Sequence, residues 1–324
     1  MDNSTLRRFF IYEDPIPFGD KISKTTTIFI LITTSICSSI YVFCLSIMFY
    51  YRKTVWKEPY FYLIYAMGAV DTASNIFNFI YTSVAVLCDR YFLGRLGDIF
   101  CATSGGVCVL SYLFIQYCIA FERFVAVICF NRPKLHITKT RAAALSVLAV
   151  SMGILLIVPA SVRQPMRINL RTMRTGFESH DPLVIRYFVT LGKVTGGFFC
   201  GGIFGLYMFI FVYWKVLFFA SEETKRLQLK MLIQGLTVAV GTIIGVPIFF
   251  VLPNHSTLFV FLLMWIVNGN VLVYFCADTK LREKIAYLIK KLYLFIKERK
   301  STVHPARNEN IPRSMYPHEA SRFP

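Results

Sequence analysis

The chain has 324 residues, of which 56% are hydrophobic and only 16% charged, whereas a soluble domain carries about 25% charge. The charge is missing in blocks: none falls between Lys24 and Arg52, Asp98 and Glu122, Arg141 and Arg163, Lys193 and Lys215, or Lys230 and Asp278. Apolar runs of about 20 residues are long enough to cross a bilayer as helices, which excludes a soluble enzyme, a disulfide-stapled secreted domain and a disordered chain.

Taken in order, residues 1–24 form a polar segment ahead of the first span, 25–51. That run is too long for a cleaved signal peptide and reads as a retained signal anchor. The second span, 59–87, opens at Pro59, a residue suited to a first helical turn, and is interrupted only by Asp71. The third is 99–121, the fourth 142–162, and the fifth 187–214, which contains Lys193. The charge-free run 231–277 is too long for one crossing. Pro253, Asn254, His255 and Ser256 supply turn chemistry, dividing it into spans 231–252 and 257–277. In 278–300, Leu281, Ile285, Leu288, Leu292 and Phe295 recur at helical spacing among Lys280, Lys284, Lys290, Lys291 and Lys297. Such a pattern predicts a basic amphipathic helix on the inner leaflet. Residues 301–324 have the composition of a disordered cytoplasmic tail. The predicted fold is an all-α membrane protein with seven transmembrane helices in one bundle, 25–277.

The net charge of +17 belongs to orientation and anionic lipid rather than to nucleic acid. With the N-terminus outside, 23 Lys and Arg lie on the cytoplasmic side and 11 outside, the sign the positive-inside rule requires. Sequons at Asn3 and Asn254 both fall outside in this N-out, C-in arrangement, and Asn3 is the better glycosylation candidate because Asn254 lies close to the membrane.

Intramembrane ionisable residues mark function by default. Asp71 has two readings: a polar node bonded to Asn75, Asn268 or Asn270 that changes partners, or a static buried acid. Glu122 and Arg123 close the third span, either as a breakable ion pair whose freed guanidinium meets a cytoplasmic partner or as an arginine snorkelling to headgroups. Arg163, Arg167 and Lys193 give the outer side a cationic field that suits an acidic or polar-headed small ligand, with a solvated basic loop as the other reading. Glycines between Gly192 and Gly205 permit close helix approach, within one bundle or across a dimer.

Nothing in the pattern calls for a metal, a cofactor or catalysis. The nine cysteines include no CxxC pair, and all five histidines lie in loops or the tail, away from any nucleophile or metal-ligand motif.

Seven spans with Glu122, Arg123 and Phe124 at the base of the third resemble a rhodopsin-type G-protein-coupled receptor. Pro247 is similar to the family's kink proline, Asp71 to its acid in span two, and Asn270 with Tyr274 to its Asn-Pro-x-x-Tyr box, with Val271 in place of proline. The 278–300 helix resembles its eighth helix. Span one has no asparagine, and the loop 163–186 has no cysteine, so the family's disulfide to that loop cannot form. Cys101 pairing with Cys88 is one alternative; two free thiols are the other. Tyr60 to Tyr65 (Tyr-Phe-Tyr-Leu-Ile-Tyr) followed by Asp71 is similar to the nematode chemosensory serpentine receptors, gamma-superfamily and class v. The resemblance implies a plasma-membrane chemoreceptor that binds a small molecule and couples to a heterotrimeric G protein through Glu122, Arg123, Asp71, Asn270, Tyr274 and Pro247. A ligand-gated channel or small-molecule transporter is the competing class.

Overall fold

The structure is a computed structural model that describes residues 21–52, 59–129, 137–163, 165–170, 173–177, 182–217, 236, 239–244 and 256–277 of the first of two units, Met1–Thr279. In the second unit, Lys280–Pro324, the described residues 282–283, 285–287, 290–291 and 293–294 are helical. Asn3, Pro247, Asn254 and the 301–324 segment lie outside the described residues.

Helix α1, Lys24–Tyr50, starts where the Thr26 N–H donates to the Ser23 hydroxyl at 3.1 Å, a side-chain N-cap. Its buried positions include Thr27, Thr34, Ser38 and Tyr41, while Ile28, Phe29, Ile32, Ile36 and Phe43 face outward. That is the reverse of a water-soluble helix, and it is stable where the outer medium is hydrocarbon. The hydroxyls of Thr34 and Ser38 donate to the Ile30 and Thr34 carbonyls at 2.7 Å, so each is satisfied by its own helix.

The second crossing is helical without a break from 60 to 88: α2 (Tyr60–Ser74), a π-helical stretch (Asn75–Ile80) and α3 (Tyr81–Cys88). A left-handed Asp89, φ 52°, ends it, with the Arg90 N–H donating to the Ala85 carbonyl at 3.1 Å. Helix α4, Gly94–Ile128, extends beyond the apolar run 99–121 at both ends. At about 1.5 Å per residue it is longer than a hydrocarbon core of about 30 Å. Asp98, Glu122 and Arg123 are therefore helical residues rather than loop residues.

Helices α5 (Lys139–Arg163), α6 (Pro182–Leu217) and α7 (Ser256–Ala277) follow. Between α5 and α6 the basic loop folds into an antiparallel hairpin, β1 (Met166–Asn169) and β2 (Arg174–Phe177), with Met166 opposite Phe177 and Asn169 opposite Arg174. Charge patterning had predicted only a loop here.

Helix α4 is the hub, packed against α2, α5, α6 and β1, while α1 packs against the second crossing and α7. A Cβ added at Gly153 of α5 would lie 2.8 Å from the Val107 carbonyl oxygen of α4, so glycine is what allows that approach. Ile22, Ile30, Phe79, Met173, Val260 and Met264 form one cluster, which ties the hairpin to α1, α7 and the second crossing. Four described helices are long and apolar enough to cross a membrane. The chain is a helical, multi-pass membrane protein.

Candidate functional site

Buried polar groups lie near each end of α4 and, between them, among α1, the second crossing, α4 and α7. At the C-terminal end, Arg123 Nε donates to Glu122 Oε2 at 2.6 Å, and its guanidinium lies 3.9 Å from the centroid of the Tyr60 ring at the start of α2. Both charged side chains are more than nine-tenths buried. An adjacent acid and base on one helix would ordinarily point to different faces; the aromatic ring of α2 gives the guanidinium its second partner. A snorkelling arginine would be exposed, and Arg123 is 6% exposed. The described side chains place it under a ring that must move before the cation can reach another molecule.

In the middle, Tyr41 joins three spans. Its hydroxyl lies 2.9 Å from Asp71 Oδ2 and 2.6 Å from the Val267 carbonyl oxygen of α7. One hydroxyl proton serves two acceptors, so this is a contact whose donor direction changes when either neighbour moves. Beside it, Asn75 Nδ2 donates to Asn268 Oδ1 at 2.8 Å, and Asn268 Nδ2 to the Met264 carbonyl at 2.9 Å. Among the described contacts of the residues expected around Asp71, Asp71 meets Tyr41 and Asn75 meets Asn268. Asn270 and Tyr274 belong to α7, but their side chains are outside the described residues. A second chain crosses from Gln116 Nε2 to Tyr112 Oη at 3.0 Å, then to Thr242 Oγ1 at 3.0 Å, with the Cys200 thiol 3.7 Å from the Thr242 carbonyl oxygen. Exchangeable hydrogen bonds thus join α1, the second crossing and α7 in one group, and α4, the 239–244 segment and α6 in another. In membranes such bonds contribute only about 0.6 kcal/mol each, which makes them cheap to rearrange.

At the N-terminal end, Arg167 of the hairpin donates from Nε to Asp98 Oδ2 at 3.2 Å, with side-chain exposures of 1% and 0%. Its guanidinium stands 5.0 Å from the Tyr91 ring, whose hydroxyl donates to the Ile168 carbonyl at 2.7 Å. Burial pulls the Arg167 guanidinium below its ordinary pKa, and the Asp98 charge opposes that shift.

This geometry corrects the expected cationic pocket. Arg167 is matched to Asp98, whereas Arg163 and Lys193 are exposed on α5 and α6. The three charges do not converge, because the hairpin turns Arg167 into the core while the helices turn the other two out. The Cys88–Cys101 bridge is corrected as well. Both are free thiols, one exposed at the end of α3 and the other buried in α4, and a bridge would need their Cβ atoms about 4 Å apart.

Sequence reasoning passed over Tyr41, Tyr91, Asp98, Gln116 and Thr242. Asp98 marked the edge of an apolar run, and its partner lies 69 positions away. An acid flanking a span next to an arginine-rich loop was the available signal. Tyr41 joins Asp71 to α7, but an aromatic in an apolar run carries no mark of its own.

The arrangement defines a class: a membrane-embedded helical bundle packed around one long helix, α4. Among solved structures it is similar in fold to the crystal structure of squid rhodopsin, with a TM-score of 0.65 over 88% of this chain and 92% of that one, at 15% identity. No protein-family model matches the sequence, and no curated protein does. The likeness is one of fold.

Proposed function

We propose that the protein is a G-protein-coupled chemosensory receptor with seven spans, N-terminus outside, in the plasma membrane. It binds a small external molecule and opens its cytoplasmic face to a heterotrimeric G protein. The observation that carries this reading is Arg123, buried against Glu122 and Tyr60 at one end of a rhodopsin-like fold. A cation sequestered by its own neighbour and by a ring from another helix is a closed state with an evident open one: parting α2 from α4 removes the ring and exposes the guanidinium. Asp71, Asn270 and Tyr274 then belong to the rearranging interior, and Pro247 to a bend in the sixth span. A ligand that favours one packing shifts the population by no more than its differential affinity for the two.

Two variants test this in membranes, with nucleotide exchange on added G protein as the readout. Arg123→Ala abolishes exchange while surface expression persists. Tyr60→Leu raises ligand-independent exchange several-fold, because a cation–π contact of about 0.5–2 kcal/mol no longer favours the closed state. Normal signalling by Arg123→Ala removes the arginine from the mechanism. Ligand-evoked current without exchange moves the protein to the channel class.

A further inference from the structure

A crevice of about 770 Å³ opens along α1 beside α2. Val42, Leu45 and Phe49 supply its apolar lining, Tyr50 and Tyr65 its aromatic borders, and Arg52 its charged end. From Val42 to Arg52 the helix advances about 15 Å at 1.5 Å per residue. That is the depth of one leaflet of a hydrocarbon core about 30 Å thick. The volume also falls within the range of small-molecule sites, about 300–1,000 Å³.

The charge at the end of the crevice is the second observation. Arg52 is the first ionisable residue after the apolar run that begins at Thr25, so it stands at headgroup level. It is exposed, and its described contact is the Phe49 ring, 4.7 Å from the guanidinium carbon. Unlike Arg123 and Arg167, it has no described acid partner. Its charge makes this end of the crevice cationic. Tyr50, 75% exposed, stands edge-on to Tyr51 at the same level, where aromatic residues with polar tips suit the interface.

We propose that this crevice binds one anionic phospholipid, with an acyl chain along Val42, Leu45 and Phe49 and its phosphate held by Arg52. Guanidinium and phosphate match as a two-point, charge-assisted hydrogen-bonded pair. The exposed Arg52 charge at the end of the crevice favours a headgroup with net negative charge over a zwitterionic one. The cost of an exposed cation beside an apolar groove is met by the one molecule that presents both chemistries at this spacing. The site is independent of whether the receptor couples to a G protein.

The test uses the full chain, purified and exchanged into micelles containing phosphatidylserine, phosphatidylcholine or both, with retained lipid counted by native mass spectrometry and thermal unfolding followed in parallel. The expected result is one phosphatidylserine retained per chain in preference to phosphatidylcholine, with a raised unfolding temperature. Arg52→Gln lowers that retention several-fold; Val42→Trp, at an outward position, blocks the crevice and does the same. Lys139→Gln, at an exposed cation on another helix, leaves it unchanged. Equal retention of the two lipids by the wild type overturns the proposal. So does undiminished phosphatidylserine retention by both crevice variants while they still unfold cooperatively, or an equal loss in Lys139→Gln.

Discussion

Arg167 and Asp98 meet inside the protein, where each charge has lost nearly all its water and the other replaces part of it. Removing one partner leaves the other buried and unmatched, a cost of about 3–5 kcal/mol. Arg167→Ala therefore lowers the unfolding temperature of the purified protein and its surface expression. Asp98→Arg combined with Arg167→Asp restores part of the loss, since the attraction survives reversal while the packing around Tyr91 changes. A double variant no better than the singles would show that the pair contributes shape rather than charge. The Tyr41 hydroxyl carries a separate prediction. Tyr41→Phe keeps the ring and removes the contact to Asp71 and the Val267 carbonyl, at about 0.6 kcal/mol per bond in a membrane. A matching fall in thermal stability checks it; an unchanged melt would mean the neighbours close over the gap.

Helix α4 organises the molecule because it touches α2, α5, α6 and the hairpin and carries a buried charge near each end. Its seam with α5 depends on Gly153, where an added Cβ meets the Val107 backbone carbonyl, which cannot swing aside as a side chain can. Gly153→Val forces the two helices apart, with a cost of about 1–3 kcal/mol for overpacking, visible as lost cooperativity in thermal unfolding. At Gly197, Gly201 and Gly205 of α6 nothing lies within 4 Å of an added Cβ. Alanine there is accommodated and improves helix propensity by up to about 1 kcal/mol per position. The contrast separates a packing glycine from a merely helical one, a distinction invisible in the string of six glycines. The hairpin is the other element the sequence did not predict. Its strands are four residues long, and the pattern of Arg167 and Arg174 around Ile168 looks like a solvated loop until Asp98 is brought beneath it.

At the scale of the whole chain, the outward-facing Ile, Phe, Val and Leu side chains of α1, α5 and α6 leave only lipid as a compatible surrounding medium. The proposed N-out orientation predicts that antibody reaches an N-terminal tag on intact cells, and that Asn3→Gln removes a glycan detected by its gel shift. Staining only after permeabilisation would place the amino end inside and redirect the search toward channels. Polar contacts at the core of the bundle lie between the two buried charge pairs of α4: the Tyr41 hydroxyl, the Asn75–Asn268 pair and the Gln116–Tyr112–Thr242 chain.

What the sequence determined by itself was the solvent and the class. Blocks without charge are additive along the chain and need no knowledge of neighbours, so a multi-pass helical membrane protein was readable from them, and the Glu122–Arg123 dipeptide and Asp71 stood out as costly in such surroundings. Which groups partner across helices was decided by the tertiary structure alone. Asp98 with Arg167, Arg123 with Tyr60 and Tyr41 with Asp71 are each set by helix rotation and approach, quantities that depend on packing at Gly153, on the π-helical turn at Asn75–Ile80 and on the hairpin. The same dependence explains the expected pocket: three basic residues near one another in sequence order were taken together, and the fold turned one inward and two outward.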